Sequence, residues 1–156
     1  MKISIAAVGR MKAGPEQIML NDYLSRAALA GRSVALGPFS VVEIDERKAQ
    51  TPAAQSARLI EAIPADAVAI GLDERGEALS SKDFAKMLAK LRDQGTGRAV
   101  FLIGGADGHR ESVRDRADRI LSFGPMVWPH MMVRAMLAEQ LYRAVSILSG
   151  GPYHRE

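Results

Sequence analysis

Short apolar runs, each broken off by glycine or a charged turn, constrain this chain more than any other feature. Ile3–Val8 runs into Gly9, Ala67–Leu72 into "DERGE", and Arg98–Ile103 into Gly104-Gly105. Such runs read as buried strands. Val41–Ile44 and Arg119–Phe123 are two further short strands. The segments between them have helical composition and spacing. Pro15 through Leu29 is helical, with Gly31 able to stop it. Thr51-Pro52 offers an N-cap followed by proline at the first helical position, opening a helix to about Ile63. Ser80 or Ser81 caps a helix reaching about Gln94, Glu111–Ala117 is a short helix, and the last helix runs from near Pro129 to about Leu148. Strand and helix alternate throughout, which predicts an α/β fold with a mostly parallel sheet flanked by helices and right-handed crossovers.

In such sheets ligands bind at the carboxyl ends of the strands. That rule singles out "GLDERG" after the third strand, "GGADG" after the fourth and "FGPMVWPH" after the fifth. With 156 residues the chain fits one domain over residues 1–156. It has no cysteine, which excludes disulfides and thiolate zinc sites. The N-terminus reads as a strand rather than a signal peptide, and no stretch reaches the ~18 apolar residues of a membrane span. A soluble, cytoplasmic protein with no membrane association and no metal is the expectation. The formal charge of +3 permits a polyanionic partner without demanding one.

The glycines of "FLIGGADGHRE", 101–111, fit a tight strand-to-helix turn or a backbone approached closely by a ligand. Asp107 either sits by that ligand or caps the next helix. The run is neither G-x-G-x-x-G nor a P-loop. Phe123–Trp128 is too apolar for an exposed loop and too broken by Gly124-Pro125 for regular structure. Its backbone groups are free to bind a flat heterocycle, with Met126 and Trp128 supplying apolar contacts. His130 and Arg134 share one face of the last helix, as a site or as a helix-start histidine and a solvated arginine. Glu139 and Arg143 form an exposed ion pair with no assigned function, and Asp73, Glu74 and Glu77 read as a solvated turn. The chain ends on Tyr153-His154-Arg155-Glu156, chemically dense and directly after Gly150-Gly151-Pro152.

Taken together, "IGGADG" after a strand, "PHMMVRAMLAEQLYRA" on the last helix and the terminal "GGPYHRE" resemble the ribosomal RNA large subunit methyltransferase H family, of the SPOUT class of knotted methyltransferases. The similarity spans the whole chain. It implies a C-terminal trefoil knot, S-adenosyl-L-methionine bound in a bent form against the knotted loops, a homodimer, and methylation of N3 of a pseudouridine in 23S rRNA of the assembled ribosome. Carried over by motif, the cofactor positions are Leu72, Gly104, the adjacent Gly105, and Phe123, Gly124, Pro125, Met126, Val127 and Trp128. The family's loop commonly carries small and aliphatic residues where Gly124-Pro125 and Trp128 stand here.

The catalytic expectations follow from the reaction. Pseudouridine N3 carries a proton that must be removed, and His154 is the candidate base, with His130 the alternative. Arg155 or Arg134 stabilises charge on the base oxygens or holds phosphate, and Tyr153 stacks on a nucleobase. The tail is expected to close over a cofactor pocket, its own or that of its dimer partner. A non-catalytic RNA-binding or ribosome-assembly factor on the same scaffold is the alternative function.

Overall fold

The computed structural model describes residues 1–154. Five strands form one sheet: β1 (Lys2–Val8), β2 (Phe39–Ile44), β3 (Ala67–Ala78), β4 (Arg98–Ile103) and β5 (Arg119–Ser122). Their order is β2-β1-β4-β3-β5, and every pairing is parallel. The helices are α1 (Pro15–Gly31), α2 (Pro52–Glu61), α3 (Ser81–Asp93), α4 (Glu111–Arg116) and α5 (His130–Ser149), with a 3-10 turn at Arg32–Val34.

The apolar runs become strands because both faces of the sheet are covered. On one face Ile3, Ile5, Ile70, Phe101 and Ile103 pack with Leu20 of α1, Phe84 and Leu88 of α3, and Leu137 and Leu141 of α5. On the other, Ala6, Val8, Ala69, Val100 and Leu102 pack with Leu59 of α2 and Val113 of α4. Successive residues of one strand thus enter opposite cores, the period-2 rule of a strand.

Two helix starts follow the expected chemistry. The Thr51 side chain accepts from the Ala54 N–H at 3.1 Å, and Ser80, not Ser81, caps α3 by accepting from the Asp83 N–H at 3.1 Å. Gly31 does not stop α1 but is its last residue. A Cβ there would lie 2.3 Å from the Leu36 carbonyl oxygen, so the glycine serves a close approach of the returning chain.

The clearest departure from expectation is β3. It does not end at Leu72 but resumes across the charged turn to Ala78, pairing with β5 in two registers, Leu72 and then Glu77 both opposite Leu121. The turn in between presses on β5: a Cβ on Gly76 would lie 2.5 Å from the Leu121 carbonyl carbon. The start of β5 is fixed by Asp118, whose carboxylate accepts from the Ala69 N–H at 2.7 Å while its own N–H donates to the Ala69 oxygen at 2.8 Å.

Gly76→Ala is therefore expected to cost about 1–3 kcal/mol of stability by overpacking against backbone. Gly97→Ala, whose Cβ would meet only an Asp66 oxygen at 3.9 Å, should stay within about 0.5 kcal/mol of the parent. Urea denaturation of both variants checks this.

Candidate active site

The carboxyl ends of β3, β4 and β5 meet at a cleft of about 280 Å³. Its walls are the 72–75 stretch of β3 and the segments that follow β4 and β5, joined by the start of α5. Leu72, Gly104, Gly105, Phe123, Gly124, Met126, Val127 and Trp128 all line it. Pro125 is exposed in the same loop and does not line the cleft.

The glycines shape this cleft directly. A Cβ on Gly104 would lie 2.6 Å from the Gly108 backbone, so the loop folds onto itself only with glycine there. Gly124 has φ +100°, a conformation that favours glycine. Beside it, the Ser122 hydroxyl accepts from the Gly124 N–H at 3.0 Å. Its single proton faces the Gly124 oxygen at 3.0 Å and the Glu74 oxygen at 3.3 Å, holding the two loops together.

Asp73, Glu74, Arg75, Asp107, His109 and Arg114 also line the cleft. Asp73 departs from the solvated turn expected of it: its side chain is only 9% exposed and faces Arg114 at 3.7 Å. Asp107 belongs to the cleft and does not cap α4, whose N-cap is Arg110. His109 is the residue that sequence reasoning missed. Its ring is buried, with Nε2 3.0 Å from the Leu102 carbonyl oxygen, so Nε2 carries the proton of the neutral ring and Nδ1 is left bare. Burial pushes its pKa below the usual histidine value, outweighing the Leu102 carbonyl and Asp73, which act the other way. The one available signal was its place directly after Gly108 in a strand-end loop.

His130 lines the cleft at the first residue of α5, half-buried, with Nε2 unpartnered. Its pKa is lowered, first by burial and then by the Arg134 cation, against the pull of Glu46. Arg134 is not the solvated or substrate-facing arginine of the sequence reading. It is fully buried, donates to the Val8 carbonyl oxygen and lies 3.4 Å from Glu43, which also accepts from the Met11 N–H at 2.7 Å. With no exposed surface it cannot reach a phosphate; it ties α5 to the ends of β1 and β2.

The tail sits elsewhere. The Tyr153 ring packs on Tyr142 at 4.6 Å with the Arg143 guanidinium 4.8 Å from its centre, and its hydroxyl donates to Glu139 at 3.1 Å. Burial pushes the Tyr153 pKa up. The Glu139–Arg143 pair is thus half-buried and holds the tail, rather than being an exposed pair without a task. Both His154 ring nitrogens are buried without a partner. Neither Tyr153 nor His154 lines the cleft of its own chain. Arg155 lies outside the described residues. Among the described residues no group of three or more His, Cys, Asp or Glu could hold a metal ion, and no helix is long and apolar enough to cross a membrane.

A parallel sheet with a glycine-lined cleft at its carboxyl edge is a setting in which small ligands bind. The family model "Predicted SPOUT methyltransferase" matches residues 1–154. A methylase family protein from Neisseria gonorrhoeae shares the fold, with a TM-score of 0.50 at 14% identity over 90% of this chain and 81% of that one. Ribosomal RNA large subunit methyltransferase H of Roseobacter denitrificans is 56% identical over 155 residues, 99% of each chain. The same-named protein of Maricaulis maris is 50% identical over 156 residues, 100% of each. The chain belongs to the ribosomal RNA large subunit methyltransferase H family of SPOUT methyltransferases.

The buried, neutral His109 sets a pH dependence of stability. Its folded pKa is depressed, so the unfolded chain takes up a proton first as pH falls through roughly 6.5. Stability is full above that value and is lost below it until the folded ring also protonates. Wild type should lose on the order of 1 kcal/mol more than His109→Asn between about pH 7.5 and pH 5, measured by urea denaturation at the two pH values.

Proposed function

We propose that this protein is an S-adenosyl-L-methionine-dependent methyltransferase acting on N3 of a pseudouridine in 23S rRNA of the assembled ribosome. It works as a cytoplasmic homodimer of single-domain subunits. The observation that carries the reading is the coincidence of eight motif-derived cofactor positions on one cleft, in a chain half-identical to relatives of that name.

The cleft fits the cofactor. Gly104 leaves room that a Cβ would fill, the 123–128 loop offers free backbone groups, and Met126 and Trp128 offer apolar surface. When bound, the cofactor supplies a methyl group on a sulfonium, a strong electrophile, so the protein's part is chiefly positioning and proton removal. The trefoil knot belongs to this reading.

The proton acceptor in this reading is His154 of the partner subunit. Tyr153 is held on its own α5 and His154 is absent from its own cleft, so a composite site uses the tail where a single chain does not. Exposed Met19, Met126, Val127, Trp128 and Met132 support pairing of two copies. A second reading, with His130 as the base, is favoured by its place on the cleft wall at the first residue of α5. Arg155 serves as the cation for base oxygens or phosphate.

Mass mapping of ribosomal RNA after incubation of ribosomes with the protein and labelled cofactor should show one methylated pseudouridine. Calorimetry should show cofactor binding, and its absence would favour a non-catalytic ribosome-assembly factor. Deleting residues 153–156 should abolish methylation while leaving cofactor affinity within about threefold of wild type, since uniform binding and chemistry separate. His154→Ala and His130→Ala, compared in single-turnover pH–rate profiles, identify the base: the variant that loses the rising limb has lost it.

A further inference from the structure

The walls of the cleft are continuous with a hydrogen-bonded ladder only up to a point. β3 and β4 pair in register as far as Leu72 opposite Ile103. Beyond it β3 runs on through Asp73 beside β5 while β4 gives way to the loop that begins at Gly104, and no ladder joins the two. Both segments line the cleft, so their separation sets its width.

One side chain reaches across that gap. Arg114 of α4 donates through Nη1 to the His109 carbonyl oxygen at 2.6 Å, and the same Nη1 lies 3.7 Å from the Asp73 carboxylate. Asp73 in turn accepts from the Arg75 N–H at 3.0 Å, so the carboxylate shapes its own turn as well as facing the guanidinium. The His109 ring ties the far end of the 104–110 loop back to β4 through the Leu102 carbonyl. With the Asp73 side chain 9% and the Arg114 side chain 27% exposed, the pair is shielded better than a surface ion pair, and its geometry can matter.

We propose that Arg114 and Asp73 act as a positioning pair that fixes the two unladdered walls of the cofactor cleft, so that affinity for S-adenosyl-L-methionine depends on their contact. The proposal rests on the reading of the cleft as that cofactor's site. Positioning through a partner differs from direct contact in one respect: removing either member breaks the same link.

Calorimetric titration of full-length protein with S-adenosyl-L-methionine tests it, using Arg114→Met, Asp73→Asn and the double variant. Each single change should raise Kd by about ten- to a hundredfold, and the double variant should be no weaker than the weaker single. Arg114→Lys, which keeps the charge but not the planar fork, should fall between wild type and Arg114→Met. In turnover assays the cofactor KM should rise by a larger factor than kcat falls, the signature of lost cofactor binding. Thermal melts of each variant separate this from general unfolding, and Arg114→Lys supplies a conservatively substituted protein should Arg114→Met not fold. A silent Asp73→Asn, or losses that add in the double variant, would overturn the pairing and leave Arg114 as a residue acting on the ligand by itself. Wild-type-like affinity in every variant would overturn the inference alone. Failure of wild type to bind would overturn the reading of the cleft and the inference with it.

Discussion

Everything at the site depends on the pairing of β4 on both its edges. It is hydrogen-bonded in parallel to β1 on one side and β3 on the other, and its residues from Ala99 to Ile103 are 0–3% exposed. Parallel neighbours cannot be joined by a tight turn, so every connection must cross over a face as a helix. Phe101 and Ile103 then demand cover on one face, Val100 and Leu102 on the other. The consequence is geometric: the parallel strands run toward the same edge, and the 72–75 stretch of β3 and the loops that follow β4 and β5 are delivered to one place. The cleft is a by-product of satisfying one buried strand.

Helix α5 carries the second level of organisation. It packs its apolar stripe on the sheet beside α1 and α3, yet three of its polar residues are committed inward or backward. Arg134 satisfies the Val8 carbonyl and stands beside Glu43. Leaving that guanidinium without partners at full burial would cost several kcal/mol, roughly 3–5 by analogy with broken buried pairs. Glu139 collects Arg143 and the Tyr153 hydroxyl. One helix thereby fixes the loop after β1, a wall of the cleft at His130, and the point where the tail departs.

Much of this was legible in the sequence, and the failures have physical causes. Strand runs such as "AVFLI" were readable because a strand buried on both faces needs no polar alternation. The caps at Thr51 and Ser80 were readable because short hydroxyl side chains satisfy free N–H groups at a helix start. The extension of β3 was not, since Asp73-Glu74-Arg75-Gly76-Glu77 has the composition of a turn and pairs with β5 only through backbone closeness at Gly76. Arg134 misled because spacing shows which face of a helix a residue shares, not whether that face is buried. The Glu139–Arg143 pair misled in the same way, its partner Tyr153 being 14 residues further on. The resemblance and the topology rule marked the same strand ends, and eight of the nine positions they named line one cleft.

The three histidines show why composition alone could not assign the chemistry. Each titrates near neutrality as a free side chain, so composition alone does not rank them. Hydrogen bonding divides them. His109 has given its Nε2 proton to a carbonyl, and its bare Nδ1 is enclosed; taking up a proton there would charge a buried ring, which burial resists. His130 lines the cleft, but its unpartnered Nε2 is enclosed near Gly9; burial first and then the Arg134 cation one turn on oppose its protonation, while Glu46 favours it. His154 has neither nitrogen committed and stands outside its own chain's cleft. A base must be neutral, with a lone pair unspent and reachable. In the single chain each of these unpartnered nitrogens is enclosed, so proton removal by any of them needs the loops or the tail around it to move.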